Sequence, residues 1–188
     1  MSKIYYISDL HFDDERIFKL CNRPFASVEE MKNCVVKKWN LKVKDSDIVY
    51  VLGDIASEEN PKSIETYRLL KGRKHLIVGN HDHKILEMIK NSNIFESIKF
   101  IDTIKDENRS VCICHYPLMD WIDFKQSYFV YGHIHNKSEN DIAYKQIKAY
   151  YADKLAFNCS ADVIDFEPVS LQDLISLKER KKNETYIH

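Results

Sequence analysis

The sequence predicts an α/β protein, a layered sandwich whose strands end along one common edge. Three observations carry that reading. From residue 3 to residue 91, β-branched and aromatic strand-like segments alternate with helix-like ones, as in βα units. From residue 99 to residue 166, strand-like runs follow one another closely. In both halves, strand-like runs end in polar side chains of the kind that bind cations.

Lys3 to Ile7 is apolar and aromatic and ends in Ser8-Asp9, so it reads as a buried strand presenting polar groups at its carboxyl end. After a polar loop, Ser27 followed by Glu29 and Glu30 predicts a helix with acids in its first turn, continuing through Trp39. Asp47 to Leu52 is a second buried strand, broken by Gly53 and followed by Asp54. Pro61 opens a helical stretch through Leu70, Gly72 ends it, and His75 to Val78 is a strand running into Gly79-Asn80-His81-Asp82. Residues 83–91 read as helical. Lys99 to Ile104, Ser110 to Cys114, Tyr128 to Tyr131, Leu155 to Cys159 and Val163 to Phe166 read as strands. Ser170 with Asp173 three residues on starts a last helix through Leu177, and residues 178–188 read as a polar tail. With no internal repeat or linker, residues 1–177 are expected to form one domain.

Composition narrows the function classes. The chain has 188 residues, 44% hydrophobic and 30% charged, which fits a core-forming globular protein. Its 28 basic and 29 acidic side chains nearly cancel, so no overall field draws it to nucleic acid or to an anionic membrane. No apolar run approaches the ~20 residues of a membrane span, and no signal-like start precedes the first strand. A cytoplasmic protein is expected. Five cysteines, Cys21, Cys34, Cys112, Cys114 and Cys159, make an odd count that argues against a disulfide framework. Cys112 and Cys114 would share one side of a strand, as a thiolate pair or as buried thiols packing like small hydrophobes.

The chemistry lies in five short blocks. Asp9-Leu10-His11 and Gly132-His133-Ile134-His135 each place two ligand-type side chains two residues apart, on the same side if the chain is extended. Asp54 follows Gly53, and its two carboxylate oxygens suit it to bridge two cations. Gly79-Asn80-His81-Asp82 presents an amide, an imidazole and a carboxylate in succession, and His115 ends the run Val111 to Cys114. Any one block has a bland reading as a turn acid or a loop histidine. Five of them, each just after a predicted strand, point to a metal site.

In this order the blocks resemble the calcineurin-like metallophosphoesterase superfamily: Asp-x-His, Gly-Asp, Gly-Asn-His-Asp, His and Gly-His-x-His. Cys21-Asn22-Arg23-Pro24-Phe25, Gly72 to Leu76 and His115-Tyr116-Pro117-Leu118 are similar to a compact bacterial and phage branch of it. The resemblance implies an α-β-β-α sandwich, two mixed sheets flanked by helices. It also implies that Asp9, His11, Asp54 and His135 hold one metal, that Asp54, Asn80, His115 and His133 hold the other, and that Asp54 bridges them. Nitrogen and oxygen donors without thiolate suit manganese, iron, zinc or nickel and do not choose among them; manganese is taken as the first expectation. His81 takes the general-acid position, with Asp82 orienting its imidazole.

Arg23 is a candidate to grip a substrate phosphate through its guanidinium, or an ordinary surface arginine. Tyr116 either lines the pocket or packs behind it. Asp13-Asp14 stands where relatives carry Gly-His and adds negative charge beside the metals, which would disfavour highly anionic substrates. Asn158-Cys159-Ser160-Ala161-Asp162 departs from an Asn-x-Gly-x-Asp pattern at Ser160, leaving the roles of Asn158 and Asp162 open. The expected activity is hydrolysis of a small phosphomonoester or phosphodiester, including a nucleotide or cyclic nucleotide. A non-catalytic metal-binding interaction module and a hydrolase of amides or other esters are the alternatives.

Overall fold

The computed structural model describes residues 2–57, 60–136 and 141–185. Strand β1 (Ile4–Ile7) is followed by helices α1 (Arg16–Cys21) and α2 (Val28–Lys42), then β2 (Ile48–Val51), a 3-10 helix (Pro61–Leu69) and β3 (Arg73–Ile77). A 3-10 turn (Asp82–Ile85) leads into α3 (Leu86–Asn91) and β4 (Ser97–Lys99). The second half runs β5 (Ile101–Asp106), β6 (Arg109–Cys114), β7 (Tyr128–Tyr131), α4 (Ile142–Tyr151), β8 (Ala156–Asn158) and α5 (Leu171–Thr185).

β1 to β4 form one sheet in chain order, and every pairing between them is parallel. Helical crossovers dictate this, because each returns the chain to the end from which the previous strand began. An antiparallel bridge between Tyr6 and Val169 extends the outer edge of β1. β5 to β8 form the second sheet, antiparallel between β5 and β6 and parallel from β6 to β8. The expected sandwich of two flanked sheets therefore holds, with the first sheet parallel throughout its named strands.

Alternation along the second sheet explains the layering. Val111, Ile113, Val130 and Phe157 join the main core with Ile7, Val49, Val51 and Leu76 of the first sheet. Their neighbours Cys112, Cys114, Phe129, Tyr131 and Ala156 face the opposite way into a second cluster with Trp121, Tyr144 and Tyr151 of α4. The two cysteines are thus inner-wall hydrophobes among aromatic rings, and burial pushes the Cys112 thiol up to about 11. All five cysteines are free. On the far side of the first sheet, α2 docks through Met31, Val35 and Trp39, spaced four apart. Its N-cap Ser27 accepts the amide of Glu30 at 3.1 Å, and the Trp39 indole donates to the Lys71 carbonyl at 2.9 Å.

Some elements differ from expectation. Residues 99–104 split into β4 and β5 on different sheets, with the break at Phe100. Val163 to Phe166 is a series of turns, with left-handed backbone at Asp165 (φ 56°) and Phe166 (φ 56°). Its apolar residues pack Ile164 and Phe166 into the core without making a strand. α5 continues to Thr185 through most of the expected polar tail, because its lysines, glutamate and arginine are good helix formers. Residues 186–188 lie outside the described residues. Helices α1 and α4 lie outside the helical segments expected from the sequence. No helix among the described residues is long and apolar enough to cross a membrane.

Candidate metal centre

The strand register brings the ligand-bearing loops together. Ile7 pairs with Val51 and Val51 with Leu76, so β1, β2 and β3 end level and release Asp9, Asp54 and Asn80 at one edge. A parallel bridge from Ser8 to Ser160 joins that edge to the second sheet, where β6 releases His115 and β7 releases His133 and His135. The loops are stitched by backbone bonds: Asp9 N to Gly53 O at 3.0 Å, His11 N to Asp54 O at 2.9 Å and Gly132 N to His115 O at 2.9 Å.

Two glycines allow the approach. A Cβ at Gly53, whose φ is +83°, would stand 2.6 Å from the Gly79 nitrogen and 2.7 Å from His115 Nδ1. A Cβ at Gly132 would stand 2.5 Å from Asp9 Oδ2. All three distances are below van der Waals contact.

Five of the seven candidate ligands sit in the left-handed region: Asp9 (φ 57°), His11 (47°), Asp54 (52°), His133 (70°) and His135 (53°). Such residues cost roughly 1–3 kcal/mol each and concentrate at functional sites. The Asp-x-His and His-x-His segments are therefore kinked, and their ligands do not arrive by the simple alternation of an extended chain. The kink separates His133 from His135. His133 Nδ1 lies 2.9 Å from Asn80 Oδ1 and 3.2 Å from His115 Nε2, whereas His135 Nε2 lies 3.6 Å from Asp9 Oδ1.

Asp54 stands between these groups. Its Oδ2 is 3.6 Å from His11 Nε2 and 3.5 Å from His115 Nε2, while Oδ1 accepts the His81 amide at 2.9 Å. Ligand atoms gather within 4.8 Å as Asp9, His11 and His135, as His11, Asp54 and His81, and as Asp54, His115 and His133. Both ring nitrogens of His11 are buried without a hydrogen-bond partner among the described residues. Buried imidazole nitrogens facing carboxylates and an amide oxygen form a donor set that cations would satisfy. The residues present fit a pair of metal ions.

The charges agree. Burial, with Asp9 and Asp82 nearby, pushes the Asp54 carboxyl up to about 8. Burial also acts against the ionised form of Asp9, but His135, His115 and His11 around it hold that carboxyl well below the usual range. Burial opposes a charge on His135 too, and the Asp9 and Asp162 carboxylates outweigh it, pushing the imidazole up to about 10. Burial holds His11 well below its ordinary value. These carboxylates share scarce positive charge.

Several residues have roles the sequence left out. Ser8 Oγ and Ser160 Oγ both donate to Asp9 Oδ2, at 2.5 and 2.9 Å. Ser160 is not among the residues in left-handed backbone, so the position does not call for the glycine of the family pattern. Asn158 donates to the His135 carbonyl at 3.2 Å and accepts the Ser160 amide at 2.8 Å. Asp162 Oδ2 meets His135 Nδ1 at 2.7 Å, and buried Cys21 belongs to the same cluster.

Arg23 requires correction. Its guanidinium is buried and spent on the protein: Nε donates to Asp162 Oδ1 at 2.7 Å, Nη1 to the Leu10 carbonyl at 2.8 Å and Nη2 to the Asp9 carbonyl at 2.6 Å. It is neither a surface arginine nor placed to grip a phosphate. The charge expected from Asp13-Asp14 is also offset: Asp14 takes two bonds from the Arg16 guanidinium at 2.9 and 2.8 Å, and Lys32 stands 3.9 Å from Asp13. Asp82 faces the neighbouring loops, accepting the amides of Asp54 (3.0 Å), Ile55 (3.0 Å) and Gly79 (2.7 Å). Its visible task is to clamp the two loops together, where orientation of the His81 imidazole was expected.

His81 lies at the rim, half-buried, its ring 5.0 Å from that of His11. Tyr116 is partly exposed and sets its ring 4.9 Å from both His115 and His133. With Pro117, Ile134, Ala143 and Ile147 it lines a cleft of about 290 Å³ opening beside His133. His75 bonds Ser97 at 2.8 Å and His83 packs on Phe100, both away from the cluster.

Comparison with known proteins agrees with this architecture. An uncharacterised protein of Methanocaldococcus jannaschii is 34% identical over 184 residues, covering 97% of this chain and 94% of that protein. The gene 66 protein of Mycobacterium phage L5 is 36% identical over 85 residues, 44% of this chain and 41% of the phage protein. The crystal structure of a protein of unknown function from Aquifex aeolicus shares 25% identity and superposes with a TM-score of 0.71, covering 94% of this chain and 100% of that one. Residues 2–182 match the calcineurin-like phosphoesterases. The chain therefore belongs to the calcineurin-like phosphoesterase family.

Proposed function

We propose that the protein hydrolyses a small phosphomonoester or phosphodiester at a centre of two metal ions. The carrying observation is the position of Asp54 Oδ2, 3.6 Å from His11 Nε2 of one ligand group and 3.5 Å from His115 Nε2 of the other. Asp9, His11, Asp54 and His135 would hold one ion; Asp54, Asn80, His115 and His133 would hold the other. This nitrogen and oxygen set suits manganese, iron, zinc or nickel alike, and manganese is the ion taken for the tests. Cations bound there supply a water acidified toward neutral pH and positive charge against the phosphoryl oxygens.

The protein's own residues do the rest. Asp9 is held by two serine hydroxyls and the His133 amide, so its remaining lone pairs keep a fixed direction. His81, at the rim, is the donor of a proton to the departing oxygen, a contribution typically worth about 100- to 10,000-fold. Tyr116 and the apolar wall beside His133 offer a small leaving group a surface to lie against. A cleft of about 290 Å³ is at the small end for ligand pockets and favours a compact substrate over a polymer.

The test is a panel of phosphomonoesters, linear diesters and 2′,3′- and 3′,5′-cyclic nucleotides offered to protein reconstituted with manganese. Hydrolysis of one class, abolished by chelation, is the expected result. Uptake of manganese with no turnover of any phosphoester would support the interaction-module reading.

A further inference from the structure

We infer that the buried pair Arg23 and Asp162 is the positioning device for one half of the metal centre, the half formed by Asp9, His11 and His135. This rests on the two-metal reading above. Asp162 can only accept a hydrogen bond through its carboxylate, so its Oδ2, 2.7 Å from His135 Nδ1, requires the ring proton on Nδ1. That leaves the lone pair of Nε2 free to face a cation, on the side where Asp9 Oδ1 lies 3.6 Å away.

The same carboxylate reaches the other two ligands through Arg23. Asp162 Oδ1 accepts from Nε at 2.7 Å, and the two remaining arms of the guanidinium hold the carbonyls of Asp9 and Leu10 at 2.6 and 2.8 Å. Those carbonyls belong to the kinked loop that carries Asp9 and His11, both in left-handed backbone. One planar fork therefore fixes the loop after β1 relative to the ring of His135. The other half is anchored elsewhere: His115 Nδ1 is held by the Leu52 carbonyl at 2.7 Å, and Asp82 clamps the loops of Asp54 and Asn80.

Energetics favour an organising role over a stabilising one. The side chains of Arg23 and Asp162 are 0% and 5% exposed. A buried ion pair of this kind is often replaceable by apolar side chains without loss of stability, because desolvation offsets its attraction. What apolar replacements cannot supply is a carboxylate against the His135 ring and a three-armed donor across two loops.

Asp162→Asn and the double variant Arg23→Met with Asp162→Asn test this. The double variant leaves no unpaired buried charge and serves if the single one fails to fold. Manganese is titrated into metal-free protein by calorimetry, with electron paramagnetic resonance reporting coupled against isolated ions. The expected result is a loss of about 10- to 100-fold in affinity for one ion, unchanged affinity for the other, and an isolated-ion spectrum where the wild type shows a coupled pair. Equal weakening of both ions, or of neither, overturns the inference while leaving the two-metal reading intact. Uptake of fewer than two ions by the wild type overturns both.

Discussion

Oδ2 of Asp54 lies 3.5 Å from Nε2 of His115 and 3.6 Å from Nε2 of His11, two imidazoles that belong to different ligand groups sharing Asp54. One atom thus belongs to both halves of the candidate centre. Asp54→Asn, which keeps shape but removes charge, is expected to lower occupancy of both ions. Elemental analysis of purified protein checks this, and full double occupancy would argue against a bridge.

His81 touches the cluster from its rim, through its ring against His11 and its amide on Asp54 Oδ1. His81→Ala is expected to keep both ions and to lose about 100- to 10,000-fold in turnover. The loss should be greatest for esters whose leaving group is a poor one. A variant equally impaired on p-nitrophenyl phosphate and on an alkyl phosphate would remove His81 from the general-acid role.

Asp82 holds three backbone amides from two loops. Asp82→Ala leaves those buried donors unsatisfied and should destabilise the metal-free fold by about 2–4 kcal/mol. Urea unfolding of chelated protein measures it. A change below about 0.5 kcal/mol would show that water or a relaxed loop takes over.

Protonation of the ligands should make the metal-free protein sensitive to pH. Folded His135 keeps its proton to about 10, against an ordinary value of 6.5, and folded Asp54 keeps its proton to about 8, against 3.8. Between these limits the folded state binds more protons than the unfolded one, so stability falls as pH rises. The contribution is full below about 6.5 for His135 and below about 3.8 for Asp54, and it is lost by about 10 and 8. Metal-free protein is expected to melt at progressively lower temperature from neutral pH to about 9, and manganese uptake is expected to release protons over the same range. Scanning calorimetry and titrations in buffers of different ionisation enthalpy read the two effects; a melting point that climbs through this range would contradict the charge assignment.

Much of this was legible in the chain. Strand-end placement of Asp9, Asp54, Asn80, His115, His133 and His135 follows from apolar runs that stop at polar residues, and the parallel register keeps those ends level. Other features escaped for identifiable reasons. Arg23 read as a surface or phosphate-binding residue because its partners, Asp162 and two backbone carbonyls, are brought to it only by the tertiary fold. Ser8 and Ser160 carry no recognisable pattern, since a hydroxyl aimed at Asp9 is invisible until the segments just past β1 and β8 are bridged in the fold. α4 does carry a local signal: Asp141 as a cap, accepting Tyr144 N at 2.9 Å, with buried Tyr144 and Tyr151 two turns apart on one helical face. The kinks at Asp9, His11, His133 and His135 had no local cause in sequence, because these residues adopt left-handed backbone under the constraint of packing.

The central claim is a pair of cations sharing Asp54. Anomalous diffraction from manganese-loaded crystals tests it most directly. Two peaks about 3.5–4 Å apart, with Asp54 between them, Asp9, His11 and His135 around one and Asn80, His115 and His133 around the other, are the predicted result. A single peak, or peaks that leave Asp54 uncoordinated, would contradict it.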